Sequence, residues 1–462
     1  MDQTDLNLWI SCALIGLTIV LPWFAEALNG RFDIFNIKNV FLLYILLQFS
    51  IWPIFIKVGE IVFLFGHEVM FVGDLYDSFI KGQYFVLTGL VFFYIGYYLI
   101  RHSGVVKRGE SRFSQNPVLF LTWDNGRVFF VYWISLAVAL LAFITMMSRY
   151  GGLVFYIQNI DLLRTTEAAG WGIFLYPLIA SQIGVAVFTA HSFAKRRYEW
   201  FAVLGILVIV GFGFVIGIRT LVIAPLITTL ILFHLIRRSV HFDWKFLVGA
   251  MIFVLLNIIY VSFRAVGTDF QEYSVGLTTQ QLLLQFFGRF HGGDSMARII
   301  DVVGRSDYQY GILSVWDLII SPIPRAVWSE KPLSLGVIAN SLFWPDFFSV
   351  DDTGAAVPTL NGELYWILGL PAICLGMFAF GVIFRIIVRK LQIPDLRSMI
   401  AYSCWFAFAA FVNETLNLHL FQLIFKLLVL YSIILFIDVN RSQKNTVPFR
   451  STCDEITGIG KS

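Results

Sequence analysis

The stretch "LNLWISCALIGLTIVLPWF", Leu6 to Phe24, runs for nineteen residues without a single charge. A helix of about 20 mostly apolar residues crosses a hydrocarbon core of roughly 30 Å, so this segment reads as a membrane span. The same pattern recurs near 38–58, 83–100, 127–147, 172–193, 199–217, 221–236, 246–263, 363–384, 398–415 and 419–438, about eleven spans in all. Composition agrees with this reading. Of 462 residues 58% are hydrophobic and only 14% charged, with 47 Phe and a mean hydropathy of +0.78, far from the usage of soluble globular domains. The expected fold is an all-α polytopic integral membrane protein.

The N-terminus "MDQTDLNLWI" has two aspartates and no basic region, so the first span is expected to be retained rather than cleaved as a signal peptide. Cys12, Cys374 and Cys404 fall in expected spans and Cys453 in the tail, which leaves no pair placed for an extracytoplasmic disulfide. A formal net charge of +3 is small for this length and gives no sign of a nucleic-acid partner.

Basic residues mark the cytoplasmic side of short loops. They cluster at Arg101 to Arg112, at Lys195, Arg196 and Arg197, at Arg237, Arg238 and Lys245, at Arg385 to Arg397, and in the tail after Asn440. Eleven spans put all of these on one side, with the N-terminus outside and the C-terminus cytoplasmic. The chain then divides into 1–263, eight spans with short loops; 264–362, one large outer loop; 363–438, three spans; and 439–462, a cytoplasmic tail. The outer loop of about 99 residues alone has room for a domain. The cytoplasmic loops are too short for a nucleotide-binding domain, which disfavours an ATP-driven pump or a nucleotide-sugar enzyme. No repeat period is evident, and the spans do not fall into two matching halves as in many secondary transporters.

Five arginines lie where outward-facing spans meet the headgroup layer: Arg164, Arg219, Arg264, Arg289 and Arg325. A guanidinium offers five donors in a planar fork that fits two phosphate oxygens, so the set suits an anionic lipid headgroup. Any one of them also serves as an interfacial anchor with its stem along apolar surface. The run "TTQQLLLQFFGRFHGGDSMARIIDVVG", Thr278 to Gly304, reads as an amphipathic helix broken at Gly292 and Gly293, with another after it. Arg289 and His291, two apart, cannot share one helical face, so the chain must unwind at the glycines if both are to reach one ligand; a histidine there is as readily a structural one. In "SPIPRAVWSEKPLSLG", Ser321 to Gly336, Pro322 and Pro324 stop a short helix and stiffen an extended turn that presents Arg325, Trp328 and Lys331.

Glu363 stands at the expected mouth of the ninth span beside Tyr365 and Trp366. It reads either as a carboxylate complementing a helix dipole or as a general base near the arginines, with Asp294, Asp351 and Asp352 as rival carboxylates. Zinc-ligand spacings, Walker and GxSxG motifs and metal-binding acidic pairs are absent from the sequence, so no metal or cofactor is expected.

The order of "YGGLVFYIQNIDLLR", "GIR" at a tight turn, "FGRFHGGDS", "IPRAVWSEKP" and "GELYWILGLPA" resembles the Wzy-type O-antigen polymerases, or oligosaccharide repeat unit polymerases. In motif the resemblance rests on Tyr150 to Arg164, Ile323 to Pro332 and Gly362 to Gly369; in topology it covers most of the chain. In that family proline often follows the tryptophan, where here Ser329 and Glu330 stand. The resemblance implies a multi-span fold similar to the GT-C-like transferases of lipid-linked sugars, in the bacterial inner membrane with its active site periplasmic. It implies a glycosyltransferase that moves a growing glycan from undecaprenyl diphosphate onto a fresh lipid-linked repeat unit. The donor and acceptor lipid-linked oligosaccharides and the bilayer are then its partners, with a chain-length regulator and a flippase of the same pathway beside them. Glu363, then Asp294, is expected to take the acceptor proton, with His291 as a further candidate. The five arginines and Lys331 are expected to hold the diphosphate, and Trp328, Tyr365 and Trp366 to stack on sugar rings. An O-antigen ligase type of transferase and a flippase of lipid-linked oligosaccharide are the alternatives.

Overall fold

A computed structural model describes residues 3–59, 75–100, 123–158, 172–237, 240, 249, 251, 292–305, 316, 319–320, 323, 328, 330–332, 338, 358–391 and 395–438. Among the described residues helix is the only repeating secondary structure, and a lone antiparallel bridge joins Trp123 to Asp438. The helices are α1 (Gln3–Leu28), α2 (Ile37–Leu46), a π turn (Leu47–Ile51), α3 (Trp52–Gly59), α4 (Leu75–Leu99), α5 (Asn125–Arg149) and α6 (Leu153–Gln158). They continue with α7 (Gly172–Lys195), α8 (Glu199–Ile216), α9 (Arg219–Ile236), α10 (Gly292–Arg305), α11 (Leu360–Leu368), α12 (Leu370–Lys390), α13 (Leu396–Phe411) and α14 (Leu416–Ile437).

Eight helices among the described residues are long and apolar enough to cross a membrane, and two shorter apolar ones cover Thr220–Ile236 and Leu396–Phe411. Their outer surfaces are apolar: Phe24 on α1, Leu141 on α5, Leu207 on α8 and Leu428 on α14 are each at least 60% exposed. Apolar surface on this scale is stable only against lipid, and the chain is a polytopic membrane protein. The span expected at 246–263 lies outside the described residues apart from Gly249 and Met251.

One expected span is built differently. The segment 363–384 was to be a single helix from Glu363, but the helix ends at Leu368 and restarts at Leu370. Gly369 at the break has φ 69° and ψ −150°, a conformation closed to residues with a Cβ, and Pro371 then suits the first turn of α12. The spanning helix is thus α12, and α11 is a separate nine-residue piece.

The two ends of the bundle differ in chemistry. At the Leu99 end, ion pairs join Lys38 to Glu26, Arg397 to Asp438 and Arg237 to Glu199. The Asp124 carboxylate caps α5 by accepting from the backbone of Gly126 and Arg127. At the other end α10 lies against α4 and α11.

The tightest packing is between α4 and α12, which run parallel. A Cβ added at Gly96 would stand 2.2 Å from the Phe378 carbonyl oxygen, and one added at Gly381 2.2 Å from that of Phe93. Small residues allow such backbone contact where lipid removes the hydrophobic drive for helices to associate. Gly96→Val is expected to force the pair apart and cost about 2–3 kcal/mol, read as an earlier midpoint in detergent denaturation of the purified protein. An unchanged midpoint would mean that the crossing relaxes freely.

Candidate functional site

α10 starts at the glycine pair Gly292–Gly293 and turns Ser295, Met296, Ile299 and Ile300 inward. Both glycines are crowded. A Cβ at Gly292 would meet the Gln48 side chain at 2.8 Å, and one at Gly293 the Phe79 ring at 2.6 Å. The sequence therefore brings α10 down onto the π turn and α4 at a place where no larger residue fits. On α4, Phe79, Gly82, Gln83 and Val86 share the face that meets it, since residues three and four apart lie on one side of a helix. α11 closes the third side: a Cβ at Gly362 would touch Ile299 at 2.5 Å, and one at Gly89 would stand 3.4 Å from Asn361 Oδ1.

Polar groups gather beneath this helix. Gln48, Gln83, Ser295 and Asn361 are each at most 1% exposed. Both side-chain amide atoms of Gln48, Gln83 and Asn361, and the Ser295 Oγ, have no hydrogen-bond partner among the described residues. Burying an unmatched amide or hydroxyl costs roughly 1–3 kcal/mol, so four such side chains in one region mark a place where a polar ligand or water completes the bonding. Gln48 sits in the π turn, a distortion that recurs at functional sites.

Asp294 and Arg298, one helical turn apart, stand at the start of α10. Arg298 Nε donates to Asp294 Oδ1 at 3.1 Å, and each side chain keeps 15% of its surface exposed. The carboxylate lies in the first turn, where the helix dipole favours negative charge.

Glu363 has a different duty. It is 1% exposed, and its Oε1 accepts from the Thr415 hydroxyl at 2.7 Å. Oε2 accepts from the backbone N–H of Leu416 at 3.0 Å and of Asn417 at 3.3 Å. These are donors at the start of α14, whose own preceding residue, Thr415, provides no side-chain cap. The sequence left Glu363 open between a dipole complement and a general base. The structure realises the first, on α14 rather than on its own helix. The turn before α14 is drawn in further as Thr359 N–H donates to Glu414 O at 3.0 Å and Leu360 N–H to Asn413 O at 3.4 Å.

The position of this junction along the bundle follows from its contacts with α4. Asn361 meets α4 near Gly89, which is about 15 Å of helix from Leu99 and about 21 Å from Leu75 at a 1.5 Å rise. Glu363 therefore sits level with the middle of α4 and at the start of α14.

The remaining expected residues fall as follows. Trp366 is completely buried, so neither face is open to a sugar, and its ring packs in the core. Tyr365 stacks one face on Phe85 with centroids 5.2 Å apart. Lys331 Nζ donates to Ile323 O at 3.1 Å, and its backbone N–H to Trp328 O at 3.2 Å, so this lysine helps close its own turn. Trp328 is half-buried. Arg219 opens α9 immediately after the left-handed turn at Gly217, φ 79°. Arg164, Arg264, Arg289, His291 and Arg325 lie outside the described residues, as do Asp351 and Asp352. Among the described residues no three His, Cys, Asp or Glu side chains converge on one point.

Five contributors, Arg298, Ser295, Gln48, Gln83 and Asn361, escaped sequence reasoning. Arg298 was findable as the i+4 partner of Asp294. Gln48, Gln83 and Asn361 carried only a weak signal, an isolated amide within an apolar run. No protein-family model, curated protein or solved structure matches the chain.

Proposed function

We propose that the protein is a membrane glycosyltransferase of the polysaccharide polymerase type, which passes a lipid-diphosphate-linked glycan to a hydroxyl of a second lipid-linked repeat unit. The observation that carries this reading is α10 laid across α4 and α11, with Asp294 and Arg298 paired at its start and unmatched polar groups buried beneath it. An amphipathic helix against a bundle of spans, with an acid at its head and hydrogen-bonding groups below, suits a polar glycan held beside a lipid carrier. The arginines of the sequence supply the complementary charge for a diphosphate.

In this mechanism an acceptor hydroxyl oxygen attacks the anomeric carbon of the donor. The bond from that carbon to the phosphate oxygen breaks, and the diphosphate leaves with the electron pair. Asp294 takes the hydroxyl proton, Arg298 fixes the direction of its carboxylate, and the arginines stabilise the charge that develops on the leaving group. Glu363 holds α11 and α14 together and thereby positions the floor of the site.

The test is the glycan ladder of a deletion strain. Loss of a polymerase leaves lipid core capped by a single repeat, and complementation with Arg325→Ala or Arg289→Ala is expected to restore no long chains while the protein accumulates. Normal polymer length in both mutants would sink the diphosphate role of these arginines. A ligase or a flippase predicts a deletion strain with no cap at all. The flippase reading draws on one observation, the polar-lined space around Lys426 within α14.

A further inference from the structure

Away from α10, a second polar region is enclosed by α7, α8, α9, α13 and α14. Lys426 stands ten residues into α14, about 15 Å along a helix of 22 residues. Two small cavities both reach Lys426, Cys404 and Ala407. One extends past Gln182 and Thr229 to Thr189, towards the end of α7. The other extends past Gln422 to Thr220 and His419, where α9 and α14 begin. Space thus lies to both sides of a lysine at mid-span.

Among the described residues Lys426 has no ion pair and no hydrogen-bond acceptor, and no Asp or Glu lines either cavity. Gln182 is 8% exposed, and its Nε2 lacks an acceptor. The hydroxyls of Thr189 and Thr229 donate back to Val185 O and Pro225 O, both at 2.8 Å, so they do not compete as donors. What the cavity offers is a lysine amine and a neutral amide N–H₂, both donors and both unmatched among the described residues. An ammonium inside a bilayer is expensive unless it faces a partner or water, and nothing in the lining supplies the negative charge.

We propose that the Lys426 cavity binds a phosphate-type oxyanion, with Lys426 as the charge and Gln182 as the second donor. The cavity beside Lys426 gives the centre of a water-sized group about 20 Å³, above the roughly 10–15 Å³ that one water needs, so there is room for an anion's oxygen next to the lysine. A lysine acts on phosphate as a compact point charge with three rotatable donors, which suits a cavity without a preset fork. The anion comes either from the head of a polyprenyl lipid, whose chain would follow Ile183, Ile206 and Ile209, or from free phosphate or diphosphate in water.

The experiment uses the full chain in nanodiscs of zwitterionic phosphatidylcholine, with farnesyl diphosphate, inorganic diphosphate and farnesol as probes. Farnesyl diphosphate is expected to bind and farnesol not. Equal binding of inorganic diphosphate identifies the free anion as the source, and weak binding identifies the lipid. Lys426→Met is expected to weaken binding by about tenfold or more, the loss of one charge-assisted hydrogen bond, whereas Lys426→Arg recovers part of it. The site is located through Cys404, which lines both cavities: in a variant with Cys12, Cys374 and Cys453 replaced by serine, bound diphosphate should slow its modification by a small thiol reagent. The arginines proposed to hold a lipid diphosphate would bind the same probes, so it is protection of Cys404 that assigns binding to this cavity and separates it from the polymerase site. No binding by wild type, or unchanged affinity in Lys426→Met, overturns the assignment. If Lys426→Met does not accumulate, unchanged affinity in Gln182→Leu overturns it instead.

Discussion

Asp294→Asn is expected to slow chain extension by about 10²–10⁴-fold, the usual contribution of a positioned general base, in vesicles carrying purified protein and lipid-linked repeats. Asparagine matches aspartate in shape and keeps an oxygen for Arg298 Nε, which lies 3.1 Å from Oδ1 in the native pair. The start of α10 is therefore retained while the basicity is removed. Protein yield and lipid-linked substrate binding should match the native values, and Arg298→Lys should fall between the two in rate, because a lysine restores charge but not the planar geometry. Full turnover by Asp294→Asn would move the proton acceptor elsewhere.

Glu363→Ala acts on the fold instead. It strips the acceptors from the Thr415 hydroxyl and from the Leu416 and Asn417 amides in one step, around a side chain buried from solvent. At roughly 1–2 kcal/mol for each stranded donor the loss comes to about 3–6 kcal/mol, enough to cut the yield of monodisperse protein sharply. Glu363→Gln should lose less, since its carbonyl oxygen still accepts from the helix start while its N–H₂ group faces the Thr415 hydroxyl. Stability and chain extension should decline together in both variants. A fully stable Glu363→Gln protein that makes no polymer would return Glu363 to the role of base.

The spans were legible because twenty apolar residues in a row have one stable solution in lipid. The break at Gly369 was less so. The pair Gly369 and Pro371 is a sequence cue, but an unbroken hydropathy profile hides a kink whose cause is a single backbone dihedral. Asp294 and Glu363 were both legible as important acids and not as different ones. What separates them is which donors surround each oxygen, and for Glu363 those donors are 52 to 54 residues away in the chain. The buried amides Gln48, Gln83 and Asn361 come from three distant segments. Only the packing of α10 against the π turn, α4 and α11 brings these segments under one helix, and no local pattern records that.

The junction around Glu363 also bears on how the chain is made. Phe41 O awaits the Asn413 side chain, Ile37 N–H awaits the Tyr402 hydroxyl, and the Tyr44 hydroxyl awaits Glu414. Their partners are synthesised 365 to 372 residues later. Until α13 and α14 are made, the Ile37 N–H and the Tyr44 hydroxyl lack these partners, and Phe41 O has only its bond within α2. A product cut short before Leu396 can make none of these three bonds, so the second span and the α13–α14 hairpin become stable only together.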